Sequence, residues 1–139
     1  MQNLKILNKK EAKEIFELIN QQWGCNADLD YAFLKNNKGR LFIVNKDISR
    51  IDFEKMRINT VGLYFGEISD GGIRLSIEGS QIIGPYAKKN VLELDDKEAR
   101  LFTKGIDVEK ETDMEGFVII KSNNDFLGCG KVKDGKILN

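Results

Sequence analysis

The stretch IIGPYAKKNVLEL, Ile82 to Leu94, holds the only proline of a 139-residue chain. Pro85 locks its own φ, removes a backbone donor and biases Gly84 toward extended conformations, so the element before it is expected to end here. Two lysines, Lys88 and Lys89, follow at once. Upstream, a helical pattern is mixed with longer strands. Downstream, the chain reads as short strands. The stretch therefore divides the sequence into an α/β (α+β) unit over residues 1–87, with a mostly antiparallel sheet, and a small β-rich unit over residues 88–139. A unit of about 50 residues rarely buries enough core to stand alone, so the two are expected to pack through an apolar interface.

Upstream of the boundary, GGIRLSIEGSQII (Gly71–Ile83) reads as a strand. Ile73, Leu75 and Ile77 alternate with Arg74, Ser76 and Glu78, one dry face against one wet face. The turn signal SDGG (Ser69–Gly72) joins it to another strand, INTVGLYFGEI, in which Gly62 and Gly66 signal a bend, a bulge or a close backbone approach. YAFLKNNKGRLFIVNKD (Tyr31–Asp47) reads as a hairpin turning at KNNKG. DISRIDFEKM (Asp47–Met56) reads as a short helix or irregular crossover, with Asp47 as a cap and Ile48, Ile51 and Phe53 apolar. The clearest helix runs from Asn8 to Gln22. Asn8 and Glu11 have capping-box spacing, Ala12, Ile15, Phe16 and Ile19 form one stripe, and Gly24 is placed to end it beside the core anchor Trp23. Beyond the boundary, NVLELD, GFVII, DFLGCGKV and GKIL read as strands and DKEARLFT as a short helix.

Composition narrows the function. Hydrophobic residues make up 41% and charged residues 32%, which suits a globular rather than a disordered chain. No apolar run approaches a membrane span, and the first residues lack the apolar centre of a signal peptide. A cytoplasmic protein without a membrane partner is expected. Lysine plus arginine and aspartate plus glutamate number 22 each, so no polyanion is held by the whole surface, though a local basic face stays open. There is no histidine, hence neither the usual neutral-pH base nor the commonest zinc ligand. Cys25 and Cys129 form no CxxC pair and read as inert buried thiols.

The candidate chemistry is sparse. Glu93, Asp95, Asp96 and Glu98 form one acidic run, and Asp107, Glu109, Glu111, Asp113 and Glu115 form another. A metal or hydrolytic site needs such groups to converge, and a solvated loop explains a dense acidic run equally well. GCGK lacks the spacing of a phosphate-binding loop. Gly128 and Gly130 instead permit close approach of a neighbouring backbone. The lysines are more informative. Lys131 and Lys133 are two apart, so in a strand they share a face while Val132 turns to the core. Two readings fit: an edge guarded against aggregation, or a phosphate-binding face joined by Lys88, Lys89, Lys104 and Lys136. Phe126 and Tyr86 are candidate platforms for splayed bases.

The residues also carry a resemblance. YFGEI (Tyr64–Ile68), IRLSI (Ile73–Ile77) and IGPYAK (Ile83–Lys88) resemble the heart of archaeal and eukaryotic pre-ribosomal-RNA processing proteins of large-subunit biogenesis, where such a run precedes a C-terminal PUA domain. TKGIDV (Thr103–Val108) and GFVIIKSNNDFLGCGKVKDGKIL (Gly116–Leu138) are similar to that domain, a small pseudo-barrel, and to the tail of Nop2/Sun-type RNA cytosine methyltransferases. The resemblance implies non-catalytic RNA binding in ribosomal RNA processing, with no cofactor and no metal. Its RNA face would involve Lys88, Lys89, Lys104, Gly105, Lys131 and Lys133, and its partners would be ribosomal RNA and RNA-processing or methyltransferase proteins. A protein–protein adaptor in the same pathway is the alternative, and a small metal-dependent enzyme using the acidic runs a remote one. Two departures stand out: the sequence stops at KILN, where such domains continue into another strand, and the second acidic run offsets the lysines.

Overall fold

The computed structural model of the chain describes residues 4–26, 29–45, 62–69 and 71–139. The expected Asp47–Met56 crossover lies outside the described residues. Helix α1 is Lys9–Trp23. The Asn8 carboxamide accepts from the Glu11 N–H at 2.8 Å and the Glu11 carboxylate accepts from the Asn8 N–H at 3.1 Å, which closes the capping box. Gly24 ends the helix in the left-handed region at φ 65°. The helix buries Ile15, Ile19 and Trp23 in the first core.

That core lies on an antiparallel sheet in sequence order, β1 (Lys5–Ile6), β2 (Tyr31–Lys35), β3 (Arg40–Asn45), β4 (Leu63–Ser69) and β5 (Gly72–Leu75). The β2–β3 hairpin turns on buried Asn36, whose side-chain oxygen accepts from the N–H groups of Lys38 and Arg40 at 3.0 and 2.9 Å. Between β3 and β4 the register slips, with Leu41 facing Gly66 but Phe42 facing Tyr64. Phe65 is thus the extra residue of a bulge, as the glycine-flanked sequence suggested.

The run Gly71–Ile83 is not one strand. It is β5 followed by helix α2 (Ile77–Ile83). Ser76 caps the helix, accepting from the Gly79 N–H at 2.9 Å, and its hydroxyl lies 2.7 Å from the Tyr64 carbonyl and 3.1 Å from that of Phe65. Apolar alternation through Ile77 hid the cap, and Ile77 itself is 58% exposed. The helix start is pressed against the bulge: a β-carbon on Gly79 would stand 2.2 Å from the Phe65 carbonyl oxygen. Gly84 also departs from expectation. It is helical, at φ −48° and ψ −48°, and α2 runs on into a 3-10 turn (Gly84–Tyr86). Without a β-carbon, a residue before proline loses much of the clash that disfavours helix.

The second sheet contains β6 (Val91–Glu93), β7 (Val108–Glu109), β8 (Gly116–Ser122), β9 (Asp125–Lys133) and β10 (Lys136–Leu138), in the order β6-β8-β9-β10-β7. Only β6 and β8 are parallel. The expected pseudo-barrel is not closed. β6 and β7, three and two residues long, are the two edges. Helix α3 (Asp96–Thr103) has a second capping box, Asp95 with Glu98. It ends at Gly105, φ 82°, where the Gly105 N–H donates to Phe102 O and the Ile106 N–H to Leu101 O, both at 3.0 Å. This left-handed glycine in TKGIDV lets the chain turn from helix toward β7.

The two sheets share a core. Ile119 of β8 and Cys129 of β9 are buried among the side chains of α1 and the first sheet, and Val91, Phe117 and Phe126 pack against the same cluster. The alternate residues Val118, Ile120 and Val132 face a smaller core with Phe102 of α3. The join is also hydrogen-bonded. The Trp23 carbonyl accepts from the N–H groups of Lys88 (2.7 Å) and Lys89 (3.2 Å), and the Asn90 side chain donates to the Gln22 carbonyl. The Gln22 carboxamide meanwhile donates to Ile73 O at 2.9 Å and accepts from the Ile73 N–H at 2.7 Å, pairing with β5 as a neighbouring strand would.

Candidate nucleic-acid interface

On β9, Val132 is buried and Lys133 exposed, with Lys131 half-buried between solvent and the sheet. The Lys131 ammonium stands 5.8 Å from the centre of the Phe117 ring, within cation–π reach. Lys133 lies directly opposite Lys136 on β10, and Lys136 in turn faces Glu109 of β7. Like charges directly opposite each other on a ladder repel, and Glu109 on the other side of Lys136 offsets part of that repulsion. Lys88 and Lys89 are exposed and lead into β6, whose Val91 pairs with Ile119. Phe117, two residues earlier on β8, pairs with Lys131. The ladder thus sets Lys88 and Lys89 toward the same end of the sheet as Lys131.

Lys104 and Gly105 arrive from the other edge, at the exposed end of α3. Asn139 holds that turn. Its side-chain N–H groups donate to Phe102 O at 3.0 Å and Ile106 O at 3.1 Å, and its backbone N–H to the Asp107 carboxylate at 3.1 Å. The lysines are diluted by acid: residues 88–139 carry ten lysines and arginines against eleven carboxylates. Lys110 is engaged by Glu98 at 3.0 Å. Among the described residues, no group of three or more His, Cys, Asp or Glu side chains is placed to hold a metal ion.

A cleft of about 520 Å³ opens between the two sheets. From the first unit it is lined by Tyr64, Glu67, Arg74, Ser76 and Ile77, and from the second by Phe102, Thr103, Gly105, Gly128, Cys129 and Asn139. Of the candidates named from the sequence as an RNA face, only Gly105 lies in its wall. The bulge builds the other side. With Phe65 inserted, Tyr64 and Glu67, three apart, both line the cleft, while Phe65 stays in the core. Glu67 pairs across the ladder with Arg74. The Tyr64 ring leans on Phe42 with centres 5.5 Å apart. Burial, with Glu67 beside it, pushes the Tyr64 hydroxyl above its ordinary pKa, so it stays a neutral donor at physiological pH. Cys129 at the cleft wall is pushed up to about 11 by burial and is no nucleophile at neutral pH.

Tyr86 is 51% exposed beside Pro85, as a base platform requires. Phe126 is not free in the same way: it packs under Gly84, where a β-carbon would stand 2.3 Å from its ring, and Lys121 lies 5.6 Å from its centre.

Comparison with known proteins places this geometry. Residues 89–139 match the family model described as the PUA domain of the methyltransferase RsmF. Residues 89–139 are thus similar to a PUA domain. A segment of 86 residues, 61% of the chain, is 33% identical to the ribosomal RNA small subunit methyltransferase F of Aeromonas salmonicida (strain A449) and covers 18% of that relative's length. The likeness is to the PUA region of that enzyme type and not to its catalytic domain. The fold, over 95% of the chain, is that of a PUA-domain crystal structure from Aeropyrum pernix K1, solved as a tartrate complex, at TM-score 0.54, 15% identity and 73% coverage of that chain. The PUA domain therefore accounts for the second sheet, and the likeness in fold extends through the first.

Proposed function

We propose that this protein binds RNA without catalysis and acts in ribosomal RNA processing, with residues 88–139 as the RNA-binding domain. The observation that carries the reading is the match of residues 89–139 to the PUA domain of an rRNA methyltransferase type. The lysines of the β9–β10 hairpin support it. Lys133 and Lys136 face each other, and Lys131 continues the row beside Phe117. Contacts of this kind hold phosphate and position the strand. Lys88 and Lys89 extend the track toward β6, and Lys104 stands next to Gly105, which borders the cleft at the end of α3. The slight acidic excess of the domain makes affinity modest and salt-sensitive. Ribosomal RNA is the RNA partner, RNA-processing or methyltransferase proteins are the protein partners, and the cytoplasm is the place of action.

A titration of the protein with ribosomal RNA fragments over a range of salt, beside a DNA duplex, tests this. Each phosphate contact releases roughly one counterion from RNA, so Lys131→Ala and Lys133→Ala should each lower the salt slope by about 0.7 to 0.9, with affinity falling for all RNAs alike. A folded double variant with unchanged affinity and slope would move the RNA site away from β9 and favour the adaptor reading.

A further inference from the structure

The phosphate-holding lysines leave one question open: what reads the bases. Lysines on a strand recognise charge, not sequence. The cleft between the sheets has the complementary equipment, which comes from the first unit, while the second unit supplies the facing wall. We propose that this cleft is a pocket for one unstacked purine of single-stranded RNA, guanine above all, with Tyr64 as its stacking surface and Glu67 and Arg74 reading its edge. The inference rests on the RNA-binding reading above and deepens it.

Four observations carry it. The cleft, about 520 Å³, lies within the roughly 300–1,000 Å³ typical of small-ligand sites. Tyr64 is 38% exposed yet steadied by Phe42 at 5.5 Å, so its ring is a partly open and supported surface. Glu67 and Arg74 are directly opposed on the β4–β5 ladder and line the same cleft. The main chain is fixed around them: Ser76 bonds back to the Tyr64 and Phe65 carbonyls, and Asn139 ties down the turn across the cleft.

The chemistry selects the base. A guanidinium donates to two acceptors at once, and guanine offers O6 and N7 side by side. A carboxylate accepts two hydrogen bonds, and guanine presents two neighbouring donors at N1 and N2. No other standard base presents both pairs. Stacking on tyrosine tolerates any base, so Tyr64 supplies affinity while Glu67 and Arg74 supply preference. The placement also explains why the two units are locked together through Gln22, Trp23 and Asn90: a pocket with walls on both needs their spacing held.

The test uses the full chain and fluorescent nine-nucleotide oligouridylates carrying a central guanosine, a central adenosine or neither. The wild type should bind the guanosine probe best. Tyr64→Ala should weaken that probe roughly tenfold, as loss of one stacked base does, while Tyr64→Phe keeps it. Arg74→Gln and Glu67→Gln should erase the preference for guanosine over adenosine, whereas Lys133→Ala weakens all three probes equally. With 6-thioguanosine at the central position, ultraviolet light should attach the wild-type protein through the peptide that contains Tyr64, a readout that does not require a variant to fold. Equal binding of the three probes by the wild type, or attachment elsewhere, overturns the pocket and leaves RNA binding standing. No binding of any probe or of ribosomal RNA overturns both.

Discussion

The two five-stranded sheets differ in how their faces are covered. The first is packed by α1 and borrows the rest of its cover from its neighbour, taking in Ile119 and Cys129. The central strands of the second are dry on both sides. Ile119 and Cys129 face the first unit, while Val118, Ile120 and Val132 face α3 across a core of eight buried residues. A strand buried on two faces cannot be freed without exposing one of them. The second sheet, proposed above as the RNA-binding element, therefore has its shape maintained from outside itself, and the cleft exists only where both sheets are present.

The sharpest way to break this contrast is to separate the units. A fragment of residues 88–139 would expose Ile119, Cys129, Phe117 and Phe126 to water, and so small a unit has little core to spare. It should show no cooperative thermal transition, whereas the full chain should unfold in one step by circular dichroism. A fragment melting as sharply as the parent would show that the second core suffices alone.

A smaller perturbation probes the shared face in place. Cys129→Ser sets a hydroxyl where an apolar thiol is 7% exposed, and should lower stability by about 1–3 kcal/mol. RNA affinity at a temperature where the variant is folded should change far less than stability, since serine is close in size to cysteine and leaves the cleft wall in place, and a thiol pushed up to about 11 carries no charge to contribute. Denaturant melts beside the RNA titration check this. A large loss of affinity in the folded variant would give Cys129 a role beyond packing.

The smallest effect is electrostatic and belongs to helix ends that each unit caps for itself. The Asp95 carboxylate accepts from the Glu98 N–H, and Glu11 is held by the Asn8 N–H and by Lys5. Both pKa values are lowered from 3.8 and 4.5, chiefly by those backbone hydrogen bonds. Below the ordinary values the unfolded chain binds the extra proton, so stability is complete above them and is lost as pH falls through the folded values. Asp95→Asn should flatten part of the acid side of the stability–pH curve and leave neutral stability nearly unchanged. An identical curve would remove Asp95 from the account.

The parts legible in the sequence were those built from neighbouring residues. Asn8 with Glu11, Gly24 at the helix end, the KNNKG turn and the DKEARLFT helix all act within a few positions of themselves, and each took the conformation its chemistry requires. The alternation around Val132 likewise settled which side of β9 the lysines take. Local pattern failed where two elements abut. Ile73, Leu75 and Ile77 continue a strand rhythm, yet Ser76 caps a helix, because its hydroxyl reaches the carbonyls of a bulge eleven and twelve residues earlier. The two-residue strand β7 was hidden in an acidic run because it exists only as the partner of β10.

By itself, then, the sequence determined the capping of the first helix, the turns, most of the strands and the side of β9 on which the lysines lie, since each depends on backbone geometry and side-chain spacing within a short stretch. Tertiary structure alone decided that β8 and β9 are buried on both faces, that the second sheet is open, and that Tyr64, Glu67 and Arg74 meet Gly105 and Asn139 across one cleft. These residues are distant along the chain and carry no shared local signal. They come together because a bulge at Phe65 turns Tyr64 outward and because burial of Ile119 and Cys129 brings the second sheet against the first.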